Sequence, residues 1–411
     1  MTARLPAVTA LAFALTSISG FAALTGQPAP AAAEQRTLKI GLDLPLSGID
    51  GASSIPARNA VELEIDDANR RGLPGGIKLV LADLDDAMQG KHDPAQGAQN
   101  MRAFVADPGV IAVVGPMNSN VAEAEIPLGN AAGLALISMG ATAVGLTHLP
   151  EARKYRPEAP ERVTFFRVCA TDDLQGAALS DFAHRLGIRR AFVIDDNESY
   201  GRGLADVFTA NFARAGGTIL GREHLTPFAL DFQALLTKVR GTQPQAIFFG
   251  GIVSTGGAVL RKQMSDVGLA RVPYFGGDGL ANPEYVPLAG AGANGTYFTL
   301  IAPDVYHLPA ARRFLAAYRR RYKTDPGNYS AGAYAATSVI VAVLRRELAA
   351  HPARLPPRDD VLRGIAATAN LTTPVGNIGF DAQGDLRAPL ISLYRIERGA
   401  AAFAGQRAVR P

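Results

Sequence analysis

Residues 110–147 alternate short apolar runs with loops that carry hydroxyl groups, and this alternation strongly limits the folds open to the chain. Residues 110–114 and 134–137 have the length and composition of buried strands. Between them, Ser119 and Asn120 are residue types that favour the start of a helix. The order strand, helix, strand predicts a parallel sheet, in which the loops after successive strands meet at one edge.

Two hydroxyl groups are expected at that edge. Ser119 and Thr142 each follow one of the two predicted strands, so they could face one crevice beside backbone N–H groups. Such a site holds a carboxylate without a buried lysine or arginine. The stretch contains no nucleophile beside a base and no set of metal ligands, so it predicts binding rather than catalysis.

The same rhythm continues along the chain. Strands are predicted over residues 38–44, 77–84, 110–114, 134–137, 164–168, 191–194, 219–222, 246–249, 273–275 and 297–301, and helices over residues 56–71, 94–105, 175–186, 203–215, 231–240, 257–267, 310–322, 329–348 and 359–367. A final pair of strands is expected at 378–380 and 390–396. The proline-rich loop 150–162 separates two series, which predicts two parallel sheets flanked by helices with a cleft between them.

Residues 1–33 are typical of a signal peptide. Arg4 precedes an apolar core at 7–15 that is too short to span a bilayer, and Ala31-Ala32-Ala33 fits a cleavage site. No cysteine follows the core, so we expect export to the periplasm without a lipid anchor. Cys169 is the only cysteine, which excludes an internal disulfide, and its apolar neighbours predict a buried thiol.

The charge pattern excludes one class of partner and leaves another open. The net charge of +4 is close to balance, which argues against nucleic acid as the partner. Residues 312–323 cluster arginines with an aromatic stripe at helical spacing. This segment is either a solvated helix face over buried aromatic rings or a docking patch for an acidic or membrane-embedded partner.

The remaining motifs do not predict a cofactor or a metal. Gly290, Gly292 and Gly295 match the spacing of a dinucleotide loop, but a strand follows them instead of a helix. The histidines are scattered, and the acidic segment 195–198 lacks the glycine of a calcium loop. We therefore expect that segment to be a loop at a strand end.

Eight segments, taken in order, resemble the type I periplasmic binding proteins of ABC transporters, in the leucine/isoleucine/valine-binding branch. They are LKIGLDLPLSG (38–48), VVGPMNSN (113–120), LISMGATAVGLT (136–147), FRVCATDDLQG (166–176), DDNESYGRGLA (195–205), FFGGIVSTGG (248–257), YFGGDGLAN (274–282) and NYSAGAYAA (328–336). The resemblance implies two α/β lobes, joined by three crossovers, that close on a small ligand. It places residues 37–169 and 299–374 in the first lobe and 170–298 and 375–411 in the second, in a monomer that serves an ABC permease.

The resemblance also implies a ligand site for a zwitterion, which needs hydrogen-bond donors at one end and an acidic group at the other. The implied contacts are Ser119, Gly140, Ala141 and Thr142 at the carboxylate, Tyr200 from the second lobe, Asp278 at the ammonium with Asp172 as a further candidate, and Tyr329 near the side-chain pocket. Local structure offers each a second interpretation. Ser119 could cap a helix, Thr142 and Asp278 could serve turns, and Tyr200 and Tyr329 could be packing residues.

Two positions depart from the pattern of that branch. Ile252 and Ser53 stand where branched-chain binders carry aromatic residues, so the side-chain pocket differs. We expect an aliphatic amino acid as the ligand, with an aromatic carboxylate, an amide or urea as the alternative. A free periplasmic sensor is the alternative role, and an enzyme is the least favoured class.

Overall fold

The computed structural model describes residues 36–226 and 229–408, so the predicted signal peptide lies outside the described residues. The strands are β1 (Thr37–Leu44), β2 (Lys78–Asp85), β3 (Ala87–Met88), β4 (Lys91–His92), β5 (Val110–Val114), β6 (Ala135–Ser138), β7 (Phe165–Arg167), β8 (Arg190–Asp195), β9 (Thr218–His224), β10 (Ala246–Gly250), β11 (Tyr274–Gly276), β12 (Thr296–Leu300), β13 (Leu371–Thr373), β14 (Gly376–Ile378), β15 (Leu390–Glu397) and β16 (Ala400–Ala408). The α-helices are α1 (Gly51–Arg71), α2 (Pro94–Ala106), α3 (Ser119–Ala132), α4 (Asp172–Arg185), α5 (Ser199–Arg214), α6 (Gln233–Gly241), α7 (Ala258–Gln263), α8 (Tyr285–Ala289), α9 (Arg312–Tyr322), α10 (Ser330–Ala350) and α11 (Arg358–Ala366).

The first sheet has the strand order β2-β1-β5-β6-β7, and all of its pairs are parallel. Every residue of β5 is buried, as expected for a strand with helices over both faces. Ile40 of β1 shares one core with Val61 of α1 and Ile340 of α10. Val113 of β5 shares a second core with Ile126 of α3. The loops after β1, β5 and β6 therefore emerge together at one edge of this sheet.

The second sheet has the order β16-β15-β12-β11-β10-β8-β9. Its pairs from β9 to β12 are parallel, while β15 and β16 continue the sheet in antiparallel pairing. On one face Phe208 of α5 stacks on Phe248 of β10, with ring centroids 3.9 Å apart. On the other face Phe249 shares a core with Leu236 of α6 and Leu260 of α7. The alternation of strands and helices thus gives the predicted pair of helix-flanked sheets.

The expected final strand pair is wrong. Gly376–Ile378 pairs with Leu371–Thr373 in a separate two-stranded hairpin. Leu390–Glu397 pairs with β12 and with Ala400–Ala408, a strand that the sequence analysis missed. The segment AAAFAGQRA of β16 is rich in alanine and glycine, which have low β-propensity, so its composition conceals the strand.

Helices α1, α5 and α7 differ most from their predicted limits, and α5 begins at Ser199 instead of residue 203. Helix α1 begins at Gly51, so Pro56 lies inside the helix instead of at its first turn. Because proline has no N–H, the carbonyl of Ala52 loses its usual helical partner there. Helix α7 covers Ala258–Gln263 only, because the chain before it forms a wider π-helical turn at Val253–Gly257.

Three sequence interpretations concern single features of the fold. Cys169 is buried, as predicted. The aromatic stripe of α9 is also buried at Phe314 and Tyr318, while its docking role and the predicted lobe boundaries remain predictions. None of the helices within residues 36–226 and 229–408 combines the length and the hydrophobicity that a membrane span requires.

Candidate ligand-binding site

A cavity lies where the carboxyl-end loops of the two sheets meet. Its empty volume is about 560 Å³, including open solvent at its mouth. The loops of the first sheet and the start of α10 contribute Asp50, Ser53, Met117, Asn118, Ser119, Asn120, Gly140 and Tyr329, and the loops of the second sheet contribute Glu198, Tyr200, Ile252, Asp278, Gly279 and Asn282. Strand ends of parallel sheets are the usual position of ligand sites in such folds, which makes this cavity the candidate site.

One wall of the cavity is the N-terminus of α3. Asn118, Ser119 and Asn120 line the cavity at the first turn of this helix, whose N–H groups have no partners within the helix. The hydroxyl oxygen of Ser119 accepts the N–H of Ala143 at 3.1 Å, and no acceptor for its own hydrogen lies among the described residues. The wall therefore offers donors to an anionic group, which is the chemistry predicted for Ser119.

The loop after β6 reaches the cavity at one residue. Gly140 lines the cavity, and a Cβ there would lie only 2.9 Å from Met117 Cγ. The N–H groups of Gly140 and Ala141 donate to Ser138 Oγ at 3.1 and 2.8 Å, so these two backbone donors already have a partner. Ala141 and Thr142 are buried and stand outside the lining. Thr142 accepts the N–H of Asp172 through its carbonyl at 3.0 Å, so its loop packs against the start of α4.

Both carboxylate oxygens of Asp278 accept hydrogen bonds from tyrosines of the lining. Tyr200 donates its hydroxyl to Oδ1 at 2.9 Å, and Tyr329 donates to Oδ2 at 2.8 Å. Burial raises the pKa of Asp278, and the tyrosine hydrogen bonds oppose this rise. The residue after Asp278 is Gly279, which allows Ile252 to pack closely against this loop. A Cβ on Gly279 would lie only 2.6 Å from Ile252 Cγ2. A cation placed beside Asp278 would favour its ionised form.

Asp172 lies behind Asp278 and outside the lining. Gln175 links them, because its Nε2 donates to Asp172 Oδ1 at 2.9 Å while its Oε1 accepts the N–H of Asp278 at 2.8 Å. Burial first, and then the charge of Asp278, raise the pKa of Asp172 to about 8. Of the two predicted ammonium partners, the structure brings only Asp278 to the cavity.

The rest of the lining contains polar residues that the sequence analysis missed. Ser53 and Ile252 line the cavity at the positions where the family pattern has aromatic residues. Asp50, Glu198 and Asn282 line it as well. Asp50 follows β1 and Glu198 follows β8. Because ligand sites lie at the carboxyl ends of parallel strands, this position in the sequence could have identified both residues.

His92 joins two of these acids from behind the cavity. Its Nδ1 lies 3.1 Å from Asp50 Oδ2, and its Nε2 lies 2.9 Å from Glu198 Oε2. Burial alone would lower the pKa of His92, but hydrogen bonds to Asp50 and Glu198 and their charges outweigh burial and raise the pKa to about 10. The ring is therefore an imidazolium at neutral pH, held between loops of the two sheets.

The architecture and its cavity define the class of protein: a two-lobed α/β binding protein of the type I periplasmic fold. A leucine-binding protein from Thermotoga maritima has the same fold, with a TM-score of 0.79, 23% sequence identity, and coverage of 91% of this chain and 99% of that chain. A branched-chain amino acid binding protein from Streptococcus pneumoniae, solved with isoleucine, matches with a TM-score of 0.77 and 26% identity over 92% of this chain and 100% of that chain.

The chain belongs to the periplasmic binding protein family, whose model matches residues 37–400. The Leu/Ile/Val-binding protein homolog 3 of Brucella melitensis is 30% identical over 387 residues, which cover 94% of this chain and 97% of that protein. The resemblance to the leucine/isoleucine/valine-binding branch is thereby confirmed. The name of this relative describes a binding protein for leucine, isoleucine and valine, and the family name indicates a periplasmic location.

Proposed function

We propose that this protein is the exported receptor of an ABC importer and binds an α-amino acid between its two lobes. The observation that carries the proposal is that two complementary groups line one cavity. Asp278, with two tyrosine hydroxyls, comes from a loop of the second sheet, and Ser119, at the N-terminus of α3, comes from the first sheet. An α-ammonium and an α-carboxylate match these two groups in charge.

The predicted site residues take different parts in this proposal. Ser119 binds the carboxylate, Asp278 binds the ammonium, and Tyr200 and Tyr329 orient Asp278. Gly140, Ser53 and Ile252 shape the cavity. Ala141 and Thr142 support the loop that carries Gly140, and Asp172 acts through Gln175 on the position of Asp278.

The printed names of the relatives support an aliphatic side chain on the ligand, as the sequence analysis expects. The α-amino group is the firmer part of the assignment. An aromatic carboxylate or another ligand without an amino group leaves the buried Asp278 without a counter-charge, which is costly in a site of this kind. Urea and neutral amides face the same objection.

The role in transport extends this assignment beyond ligand binding. Residues 1–33 direct export, the mature protein is a monomer without a lipid anchor, and the closed, ligand-bound lobes deliver the amino acid to the permease. The sequence similarity to transport proteins over most of the chain supports this role over that of a free sensor or an enzyme.

A thermal-shift screen of the mature protein against the α-amino acids tests the proposal, with isothermal titration of each compound that raises the melting temperature. A ligand at about a hundredfold excess over its Kd should add about 2.7 kcal/mol to the free energy of unfolding. Deaminated analogues of the best ligand serve as matched controls and should give no shift. A protein stabilised only by compounds without an amino group would contradict the proposal. Loss of uptake of the bound amino acid in cells lacking the protein tests the transport role.

A further inference from the structure

The part of the lining left for the side chain of the ligand contains two acidic residues. Once Ser119 and Asp278 are assigned to the two ends of an α-amino acid, the rest of the lining includes Asp50, Glu198 and Asn282, with Met117 and Ile252 as apolar members. An aliphatic side chain on this wall would take water away from two carboxylates and give them no hydrogen-bond donor in return. Burial of charged groups without a partner is unfavourable.

Each of the two acids keeps one oxygen without a hydrogen-bond partner among the described residues. Asp50 is only 6% exposed, and its Oδ2 accepts from His92 at 3.1 Å and from Ser254 Oγ at 3.0 Å, while Oδ1 accepts nothing. Glu198 accepts from His92 and from Asn120 Nδ2 through Oε2, at 2.9 and 3.3 Å, while Oε1 accepts nothing. A nine-tenths buried carboxylate with an unused oxygen at a cavity is a recognition element for a donor on the ligand.

The charges of the wall do not cancel. Asp50, Glu198 and Asp278 line the cavity, and no lysine or arginine of the described residues is part of the lining. The imidazolium of His92 offsets one of the two acids that it bridges, and the α-ammonium of the ligand offsets Asp278. One negative charge remains on the side-chain wall, in surroundings where charges interact more strongly than in water.

We propose that the bound amino acid carries a cationic side chain, an ammonium or a guanidinium, that binds to Asp50 and Glu198. This inference rests on the proposed function for the two ends of the ligand. It departs from the aliphatic side chain that the relatives' names support, because the lining of this chain contains two further carboxylates. A neutral amide or ureido side chain could donate to the same oxygens, but it would leave the remaining charge uncompensated. The cationic class therefore fits both the acceptors and the charge.

Matched ligand pairs isolate the contribution of the charge. Lysine is compared with norleucine, which has the same chain without the ammonium, and arginine with its neutral ureido analogue citrulline. Isothermal titration near neutral pH should give at least one cationic member a Kd about tenfold or more below that of its neutral partner, as expected for hydrogen bonds to charged groups. Leucine and glutamine complete the panel.

Variants assign the preference to the wall. In Asp50→Asn, Glu198→Gln and the double variant, the ratio of the Kd of the neutral partner to the Kd of the cation should fall in steps toward one. Asp266→Asn removes a carboxylate from an exposed position outside the lining and should leave the preference unchanged. Far-ultraviolet circular dichroism and the melting temperature confirm that each variant is folded.

The outcomes separate this inference from the proposed function. Tight binding of leucine or norleucine with no preference for lysine or arginine overturns the cationic class and leaves the amino-acid receptor in place. A preference for citrulline and glutamine also overturns it, in favour of a neutral donor. A cation preference that survives in the double variant overturns the assignment to Asp50 and Glu198. Absence of binding by every α-amino acid overturns the proposed function and this inference together.

Discussion

His92 Nε2 lies 2.9 Å from Glu198 Oε2, and this contact connects the β3–β4 hairpin beside the first sheet to the start of α5 beside the second. The other ring nitrogen binds Asp50, which follows β1, so one imidazolium joins loops that emerge from both sheets. Asn282 reinforces the junction, because its Nδ2 donates to the carbonyl of Ile49 at 3.1 Å. These contacts hold the lobes together at the cavity.

Replacement of His92 by glutamine should weaken this junction. The variant loses a charge that two acids share, and we expect the free energy of unfolding near neutral pH to fall by roughly 1–3 kcal/mol. Urea denaturation followed by circular dichroism measures the change. His351→Gln, at an exposed position, is the control and should behave like the wild type. Equal stability of His92→Gln and wild type would contradict the importance of the bridge.

The same bridge predicts a pH dependence. The pKa of His92 rises from 6.5 in the unfolded chain to about 10 in the fold, so its stabilising contribution is complete below pH 6.5 and is lost as the pH rises through about 10. The groups facing the ring are Asp50 and Glu198, and the charge of the ring also acts on Asp86. Between these two pH values the wild type should lose more stability than His92→Gln. Parallel curves of the two proteins would contradict the assignment.

Asp278→Asn should weaken amino-acid binding. The variant keeps the shape of the side chain but removes the negative charge that we assign to the α-ammonium, so the Kd should rise about ten- to hundredfold. Isothermal titration measures the effect. Asp266→Asn makes the same chemical change at an exposed position and should bind like the wild type. An unchanged Kd in Asp278→Asn would remove that residue from the site.

The buried Arg167 should matter for stability and for the loop of Gly140. Its Nε lies 2.7 Å from Asp385 Oδ1, and its Nη1 donates to the carbonyl of Ala143 at 2.8 Å. Arg167→Met leaves Asp385 buried without its cation, which should lower the free energy of unfolding by about 3–5 kcal/mol. Arg102→Met, on an exposed position of α2, is the matched control. Addition of Asp385→Asn to Arg167→Met should restore part of the loss, and the absence of any recovery would contradict the pairing.

Gly140→Ala tests the close contact at the floor of the cavity. The added Cβ would lie 2.9 Å from Met117 Cγ and 3.0 Å from the Met117 carbonyl oxygen, so the loop must shift. We expect a loss of roughly 1–3 kcal/mol in the free energy of unfolding together with weaker ligand binding. Gly203→Ala in α5 meets no atom within 4 Å and should instead be neutral or stabilising. Similar behaviour of the two variants would show that space at Gly140 is unimportant.

Sequence reasoning predicted the edge of the sheet at which the cavity lies, because the carboxyl ends of parallel strands meet at one edge. It expected the hydroxyls of Ser119 and Thr142 to face one crevice, and of these two residues only Ser119 lines the cavity. It could not determine that Thr142, two residues after Gly140, lies behind the wall, because the side to which a loop residue points depends on tertiary contacts.

His92 shows the other limit of sequence reasoning. It lies in a two-residue strand, and its partners are 42 and 106 positions away in the sequence. No periodicity or motif connects residues at such separations, so the partners of His92 could not be predicted from the sequence. The missed strand β16 has a related cause, because its pairing with β15 is decided by an available sheet edge and not by its own composition.

The hydrogen bond from the N–H of Ala143 to Ser119 Oγ joins two segments that follow neighbouring strands of the first sheet, and it needs no bound ligand. The part of the lining formed by these two segments is consequently preorganised, so ligand binding costs little conformational entropy of the protein there. In the proposed function this part binds the α-carboxylate, so residues elsewhere in the lining can be exchanged during evolution without disturbing that end of the site. A single scaffold of this design can acquire new nutrient preferences through a few substitutions.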